Sequence, residues 1–415
     1  MELDYLLPSY QKLYSALESL ERFSINQDLF DNIACIDRFL SEYRNITFVL
    51  QKSLAHTDYV YAYERLRDRY LKNSECSWLV NKRNEVLKEH PFALVKKFIL
   101  NIYLQQTSCI YSSESYTIDD EIEYTSLINS VKNIVESIPS IEVYFSTEFI
   151  YNENGSNLNL FSTIESGINS IFSLLIELDK EIGVGSSNAR MSVIRKIESL
   201  NFYKILKYDW FIEDYVYYKK NNLFEKGQRL NCIPPSINAI HYTTFCKTFY
   251  VSNNGDFIRE TFEAFKQMNI LCFSKQMMIA PTFLILKEDG SISILIYDAT
   301  VKTTTYRKIN EIALDIKANA NIVAVFHVCT MLCYNNLDVL NIDYINRGSE
   351  KHTEELSFSI VTRDSFEQYF INCDTIIKNL EDCLSSTLIK IDMRDAITSM
   401  RPISDAFLQQ QEKHI

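Results

Sequence analysis

The chain has 415 residues, of which 47% are hydrophobic and 23% are charged, and it contains only 8 Gly and 7 Pro. Disordered chains are poorer in apolar residues, so this composition excludes a largely disordered protein. The length exceeds what one hydrophobic core usually supports, which predicts roughly two or three folded domains. The formal net charge of -12 excludes a generally basic nucleic-acid-binding surface, although a local basic patch remains compatible with it.

The apolar runs and the cysteines favour an intracellular protein. The longest apolar runs are shorter than the ~20 residues that a membrane-spanning helix needs. The 10 Cys show no C-x-x-C spacing, and no signal-peptide pattern is recognised, so we expect reduced, mostly buried thiols. These features predict a cytoplasmic protein without a membrane partner.

Residues 9–105 have the apolar periodicity of a helical bundle. Leucines recur at three- and four-residue spacing from Leu13 to Leu20, which predicts one buried stripe on the first helix. Ser24 and Gln27 form an S-x-x-Q pattern, which predicts a capping box at the start of the second helix. A third helix and a fourth follow after short connections, as in an antiparallel bundle.

The fourth helix is expected to contain residues 74–91 and to continue, kinked at Pro91, to about residue 105. The four-residue spacing of Leu94, Phe98 and Ile102 is the basis of that extension. Several side chains of the whole bundle should be buried: Leu17, Ile33, Leu40, Leu66, Trp78 and Phe98.

The middle of the chain is predicted to be mainly helical. The acidic, Ser-rich stretch 111–124 indicates a linker, and Pro234-Pro235 lies in a second one. The periodicity predicts a strand-like piece at 141–145 and helices at about 124–138, 158–182, 189–199 and 203–225.

The last third changes character to α+β. Apolar runs flank Glu288-Asp289-Gly290, which predicts an antiparallel hairpin formed by residues 282–287 and 291–298. Further patterns predict strands at 322–328 and 356–361 and helices at about 306–318, 364–384 and 395–410. The fold class is therefore multidomain α plus α+β: a helical bundle (1–110), a helical middle region (111–235) and an α+β domain with a small antiparallel or mixed sheet (236–415).

One segment carries a clear chemical suggestion. Arg83-Asn84 follows Trp78, and His90 comes seven residues after Arg83. At roughly 3.6 residues per turn, Arg83 and His90 on one helix would point to nearly the same side. An arginine can hold a phosphate while a histidine moves a proton, and these are the minimum requirements for cleaving RNA.

This Trp-x-x-x-x-Arg-Asn segment with its following His resembles the HEPN superfamily of helical domains. Many members are ribonucleases of antiviral, toxin–antitoxin and stress systems. The resemblance covers about the first 105 residues and implies metal-independent RNA cleavage without a cofactor, in a site formed across a homodimer of these helices. It implies that His90 acts as general acid or base, that Arg83 stabilises charge on the phosphate, and that Asn84 orients a neighbour or the phosphate.

The spacing leaves a second interpretation open. The more familiar family spacing places the histidine at position 88, where this chain has Lys88. In that register Lys88 replaces the catalytic group, because lysine does not readily exchange protons at neutral pH. The helical domain would then bind RNA, or form dimers, without cutting RNA.

A third interpretation is a metal-dependent nuclease built on the C-terminal sheet. Asp289, Asp298 and Lys302 lie near two strands, although Asp289 is more simply a turn residue. His327, Cys329 and Cys333 fall in an apolar run and are expected to be core residues rather than metal ligands.

Taken together, the sequence favours an RNA-cleaving effector of a bacterial defence or toxin-type system. The C-terminal domain would then recognise a trigger ligand or protein.

Overall fold

The computed structural model describes residues 4–25, 27–118, 124–156, 158–183, 185–200, 211–228, 237–249, 251, 255–297, 299–334, 350–385, 388–393 and 398–412. The helices are α1 Leu7–Ser19, α2 Leu29–Leu54, α3 Val60–Tyr70, α4 Ser74–Lys88, α5 Tyr124–Glu136, α6 Leu160–Ile182, α7 Asn188–Ser199, α8 Tyr242–Thr248, α9 Phe257–Gln276, α10 Lys302–Ala318, α11 Cys373–Lys378, α12 Leu380–Ser385 and α13 Arg401–Glu412. The strands are β1 Leu94–Tyr103, β2 Ile110–Ile118, β3 Glu142–Glu153, β4 Ile212–Tyr218, β5 Leu223–Lys226, β6 Ile237–His241, β7 Thr282–Lys287, β8 Ser291–Ile296, β9 Ile322–Tyr334, β10 His352–Thr362, β11 Phe366–Asn372 and β12 Ile391–Asp392.

The strands form two sheets. One has five strands in the order β2-β1-β3-β4-β5, and the other has seven in the order β12-β11-β10-β9-β7-β8-β6. Every neighbouring pair in the seven-stranded sheet is antiparallel. The chain is thus mixed α and β, with a helical N-terminal part and an antiparallel C-terminal sheet, as the sequence predicts at this coarse level.

The predicted hairpin is confirmed. β7 and β8 pair antiparallel around a turn at Asp289-Gly290, and β9 pairs with the other edge of β7. Gly290 has a φ of 78°, a conformation that glycine adopts without steric cost. The Asp289 carboxylate accepts a hydrogen bond from the Ser291 backbone N–H at 2.9 Å, so Asp289 serves the turn.

Both faces of the seven-stranded sheet are covered by helices. On one face, Phe262 and Phe265 of α9 pack in a core with Phe326 and Phe358 from the strands. The other face has a separate core, which contains Ile309, Ile312, Ile403 and Phe407 from α10 and α13. Side chains alternate between the two faces along each strand, because successive strand residues point in opposite directions.

The expected extension of the fourth helix is wrong. α4 ends at Lys88, and the chain enters strand β1 from Leu94 to Tyr103. The four-residue spacing of Leu94, Phe98 and Ile102 fits a helix, but four is also a multiple of the two-residue strand period. Leu100, also buried, completes the alternation and identifies the strand.

Three further element predictions are wrong. The expected linker at 111–124 contains strand β2, and its residues 119–123 lie outside the described ones. The expected helix at 203–225 contains strands β4 and β5, and 201–210 lie outside the described residues.

The expected helix at 364–384 begins with strand β11. β4 and β11 are rich in Tyr, Phe, Ile and Val, whose side chains fit a pleated surface. The middle region is therefore not wholly helical, and Pro234-Pro235 lies outside the described residues.

The start of α2 also differs from the predicted capping box. Asp28 is the N-cap residue, and its carboxylate accepts from the Asp31 backbone N–H at 2.9 Å. Ser24 lies before the helix, where its carbonyl accepts from the Asn32 side chain at 3.0 Å. The predicted core is largely confirmed: Leu17, Leu40, Leu66 and Phe98 are buried, and Ile33 and Trp78 are half-buried.

The chain divides into two compact units by its internal contacts. The first comprises Met1–Ile99, Glu114–Asn133 and Thr147–Ile212, and the second comprises Leu100–Ser113, Ile134–Ser146 and Glu213–Ile415. The first contains α1 to α4, α6 and α7, and the second contains the seven-stranded sheet with its helices. The three domain ranges expected from the sequence remain a prediction.

In the first unit, α6 makes a close approach to two other helices at Gly167. A Cβ atom at this position would lie 2.3 Å from Cδ1 of Leu79 in α4 and 3.1 Å from the Tyr43 hydroxyl in α2. Leu79 is itself fully buried, and because protein interiors are close-packed we expect its side chain to have little room to shift.

We expect Gly167→Ala to lower the free energy of unfolding by about 1–3 kcal/mol through overpacking. Alanine in an exposed helix would instead stabilise by about 1 kcal/mol. The matched control is Gly185→Ala, because nothing lies within 4 Å of the added Cβ there. Urea unfolding followed by circular dichroism measures both variants, and a stability gain in Gly167→Ala would contradict the close approach.

Two buried threonines provide a second test of the packing. The Thr147 hydroxyl is buried without a hydrogen-bond partner, whereas the Thr303 hydroxyl donates to the Tyr215 carbonyl at 2.6 Å. Both residues are 0% exposed. We therefore expect Thr147→Val to raise the unfolding free energy by about 1 kcal/mol and Thr303→Val to lower it by about 1–2 kcal/mol. Equal effects in urea unfolding would show that the two hydroxyls do not differ as described.

Candidate functional site

The helix that carries the candidate residues is fixed at its start. Asn73 caps α4, and its side-chain oxygen accepts from the Cys76 backbone N–H at 2.7 Å. The amide nitrogen of the same side chain donates to the Ser170 hydroxyl of α6 at 3.2 Å. Cys76 and Leu79 are the buried residues of α4, so one face of the helix packs while the other remains accessible.

The end of α4 separates two residues that the sequence placed on one helix. Arg83 lies inside the helix, whereas His90 follows its last residue, Lys88. Pro91 has no backbone N–H and disfavours helical conformation in the residue before it, so the helix ends here. Because His90 lies beyond the helix, the prediction that it shares a helical face with Arg83 is wrong.

The segment after His90 is anchored at two places. The Phe92 backbone N–H donates to the Asp37 carboxylate of α2 at 3.1 Å. The Ala93 carbonyl accepts from the Asn154 backbone N–H, just after β3, at 2.7 Å. These contacts hold the segment against two other elements of the same unit.

The His90 imidazole is accessible and oriented. Its side chain is 54% exposed, and its Nε2 lies 3.2 Å from Oε1 of Glu85. Its Nδ1 lies 3.0 Å from the Pro91 carbonyl oxygen. Both ring nitrogens thus face oxygen acceptors, and only the doubly protonated ring donates to both.

The other predicted residues have local partners. The Arg83 Nη1 donates to the Asn84 side-chain oxygen at 3.1 Å, so Asn84 orients the guanidinium. The Arg83 Nε is buried without a hydrogen-bond partner. Lys88 is exposed in the last turn. The structure places Arg83, Asn84 and Lys88 on α4 with His90 just beyond it, and Arg83 and His90 bind different neighbours.

A chain of charges lies beside His90 that was not predicted from the sequence. The Lys82 ammonium contacts Oε2 of Glu85 at 2.5 Å and also pairs with Glu153 at the end of β3. The hydrogen bond from Lys82 holds the pKa of the Glu85 carboxyl below its usual range. The i, i+3 spacing of Lys82 and Glu85 is a visible signal, but nothing in the sequence links either residue to Glu153.

This end of α4 has positive groups in Arg83 and Lys88 and two carboxylates in Glu85 and Glu153. Arginine and lysine attract phosphate, and a doubly protonated imidazole is a proton donor. The carboxylate of Glu85 orients that donor, as the third group of a catalytic set does.

The metal-dependent interpretation relies on Asp289, Asp298 and Lys302 near the C-terminal sheet. The Asp289 carboxylate is engaged in its turn, Lys302 is the first residue of α10, and Asp298 lies outside the described residues. Within the part of the chain that the structure describes, no group of three or more His, Cys, Asp or Glu side chains is arranged to hold a metal ion.

His327 is a core residue, as expected. Its Nε2 lies 3.0 Å from the Tyr297 hydroxyl, and its ring stacks on Phe283 with centroids 4.3 Å apart. Burial lowers the pKa of His327 to about 3. Cys329 and Cys333, in contrast, are only half-buried.

The low pKa of His327 makes stability depend on pH. The pKa falls from an ordinary value of 6.5 to about 3, so below pH 6.5 the unfolded chain binds a proton that the folded chain does not. Folding stability should therefore decrease as the pH falls through this window. Between pH 7 and about pH 5 we expect His327 to contribute a loss of about 2 kcal/mol.

The variant His327→Gln keeps a hydrogen-bonding group but does not titrate, so this part of the loss should disappear. Urea unfolding at several pH values measures the effect, with the exposed His56→Gln as control. A variant that loses stability on acidification as steeply as the parent would refute the assignment.

Comparisons with known proteins return no match to a protein-family model, to a curated protein or to a solved structure. Among the helices described, none is long and apolar enough to cross a membrane.

Proposed function

We propose that this chain is a metal-independent RNA-cleaving enzyme whose site lies at the C-terminal end of α4. The observation that carries the proposal is the pairing of the exposed His90 imidazole with the Glu85 carboxylate at 3.2 Å. A histidine whose only role is to be a polar surface residue does not need a carboxylate that orients its ring. It also does not need hydrogen bonds that anchor the backbone after it. The resemblance to HEPN domains at Arg83-Asn84 and His90 supports the same function.

The chemistry follows from the positions of Arg83 on α4 and His90 just beyond it. The ribose 2′-hydroxyl attacks the adjacent phosphorus, the new O2′–P bond forms, and the P–O5′ bond breaks. His90 donates a proton from Nδ1 to the departing 5′-oxygen, which replaces the Pro91 carbonyl as the partner of that nitrogen, while Nε2 stays on Glu85. Arg83 stabilises negative charge on the non-bridging phosphate oxygens, with Asn84 holding the guanidinium.

The proton of the 2′-hydroxyl needs an acceptor as well. In the resembled family the site forms across a dimer, and we propose that a second copy of the chain supplies the base. The proposal therefore includes a homodimer through the N-terminal helices. It also includes an effector role in a bacterial defence or toxin-type system, with residues 236–415 recognising a trigger ligand or protein.

A second candidate function is RNA binding without cleavage. It is favoured by the two oxygen acceptors that occupy both ring nitrogens of His90. An imidazole in that state lacks the lone pair that a general base requires. In this alternative Arg83 and the exposed Lys88 hold phosphates, and His90 adds a third positive group.

The deciding experiment incubates the full chain with labelled single-stranded RNA in EDTA. Cleavage should yield 2′,3′-cyclic phosphate and 5′-hydroxyl ends. His90→Ala should reduce the rate by about 10²–10⁴-fold, because a general acid contributes that much. Arg83→Lys should also fail, since lysine keeps the charge but loses the planar donor fork. Lys88→Ala should weaken RNA binding more than it slows the chemical step.

Two controls match these changes. His56 is exposed on the same unit, and Arg38 forms an exposed ion pair with Glu18 at 3.6 Å, so His56→Ala and Arg38→Lys should cleave like the parent. RNA binding without cleavage by the parent would select the second candidate. Undiminished cleavage by His90→Ala would remove His90 from the mechanism, and activity that appears only with added magnesium or manganese would favour the metal-dependent nuclease.

A further inference from the structure

The Lys82 ammonium lies between two carboxylates from different elements. Glu85 is one turn away on α4, and Glu153 lies at the end of β3. The side chains of Lys82 and Glu153 are only 13% and 15% exposed, respectively. A charge held this far from water keeps its place only with close partners, so Lys82 has a defined position rather than that of a mobile surface lysine.

The two oxygens of Glu85 have different tasks. Oε2 accepts from Lys82 at 2.5 Å, and Oε1 faces Nε2 of His90 at 3.2 Å. A carboxylate free to rotate would present either oxygen, or neither, to the imidazole. The contact with Lys82 fixes one oxygen and thereby aims the other at His90.

The end of β3 contributes a second constraint on the same segment. Glu153 fixes Lys82, and the next residue, Asn154, donates its backbone N–H to the Ala93 carbonyl at 2.7 Å. One turn therefore holds both the helix before His90 and the chain after it. The imidazole is exposed, yet the structure on both sides of it is tied to β3.

We infer that Lys82 and Glu153 are positioning residues that hold Glu85, and through it His90, in the orientation needed to donate a proton. This inference rests on the proposed function for its role in cleavage, but its structural part concerns the His90 ring alone. Lys82 lies on α4 next to Arg83, so a direct contact with the substrate phosphate is the competing role. The two roles differ in what they change: positioning alters the state of the His90 ring and the chemical step, whereas phosphate contact alters RNA affinity.

The experiment compares Lys82→Met, Lys82→Arg and Glu153→Gln in the full chain, with Lys72→Met as control. Lys72 forms a comparable ion pair with Asp68 at 2.8 Å, but its side chain is 69% exposed. The first readout is the ¹H–¹⁵N spectrum of the histidine rings in the absence of RNA, with the His90 signals identified by their loss in His90→Gln. The second readout is kcat and KM for RNA cleavage.

We expect Lys82→Met and Glu153→Gln to move the His90 ring resonances and to lower kcat by roughly 10- to 100-fold, with KM nearly unchanged, because a misplaced catalytic group costs about that much. Lys82→Arg should retain the parent resonances and most of kcat, since the positive charge is kept. Lys72→Met should behave as the parent in both readouts.

The outcomes separate this inference from the proposed function. Unmoved His90 resonances in both Lys82→Met and Glu153→Gln would overturn the inference, even if the parent cleaves RNA. A rise in KM at unchanged kcat would also overturn it and assign Lys82 to phosphate contact. If the resonances move but the parent does not cleave RNA, the positioning holds and the proposed function fails. Circular dichroism identifies a variant that fails to fold, and Glu153→Gln then decides, because it removes only a charge.

Discussion

The close approach of three helices at Gly167 is the constraint on which the candidate site depends. Leu79 of α4 occupies the space that a side chain at position 167 would fill. The Tyr43 hydroxyl of α2 donates to the Gly167 carbonyl at 3.2 Å and lies 3.5 Å from the Cys76 sulfur. Because α2, α4 and α6 meet here without a gap, the position of α4 is set by packing. The positions of Lys82, Arg83 and Glu85 therefore depend on this packing, because they lie on the same helix.

At the other end of α4, the determining interaction is electrostatic. Lys82 is withdrawn from water, and the cost of withdrawing it is offset by Glu85 and Glu153. Since Glu85 also contacts His90, a continuous series of contacts links Glu153 of β3, through Lys82 and Glu85, to the exposed imidazole. Removal of one member would leave its neighbours as partly buried charges with too few partners, and such changes cost more than the loss of an exposed ion pair. This is the physical basis for treating the helix end as one connected site.

The seven-stranded sheet has a different design. Helices cover both of its faces, and each face has its own core. Tyr297 and His327 satisfy each other as buried polar groups on this sheet. A sheet with both faces covered offers its strand ends and connecting loops for recognition, and such loops commonly carry binding residues on a rigid scaffold. The proposed sensing role of residues 236–415 would therefore fall to those parts.

The sequence by itself determined the elements whose signals are local. The hairpin at Asp289-Gly290 followed from a turn that needs glycine, and α6 and α10 followed from a period that only a helix satisfies. It also singled out Arg83 and His90 from residue type and spacing, and Asn84 and Lys88 through the resemblance to HEPN domains. Only the tertiary structure decided that Leu94, Phe98 and Ile102 belong to a strand, because a four-residue spacing fits both periods and the paired neighbour chooses between them. Only the tertiary structure brought Glu153 to Lys82, because that contact joins residues far apart in sequence and leaves no periodic trace.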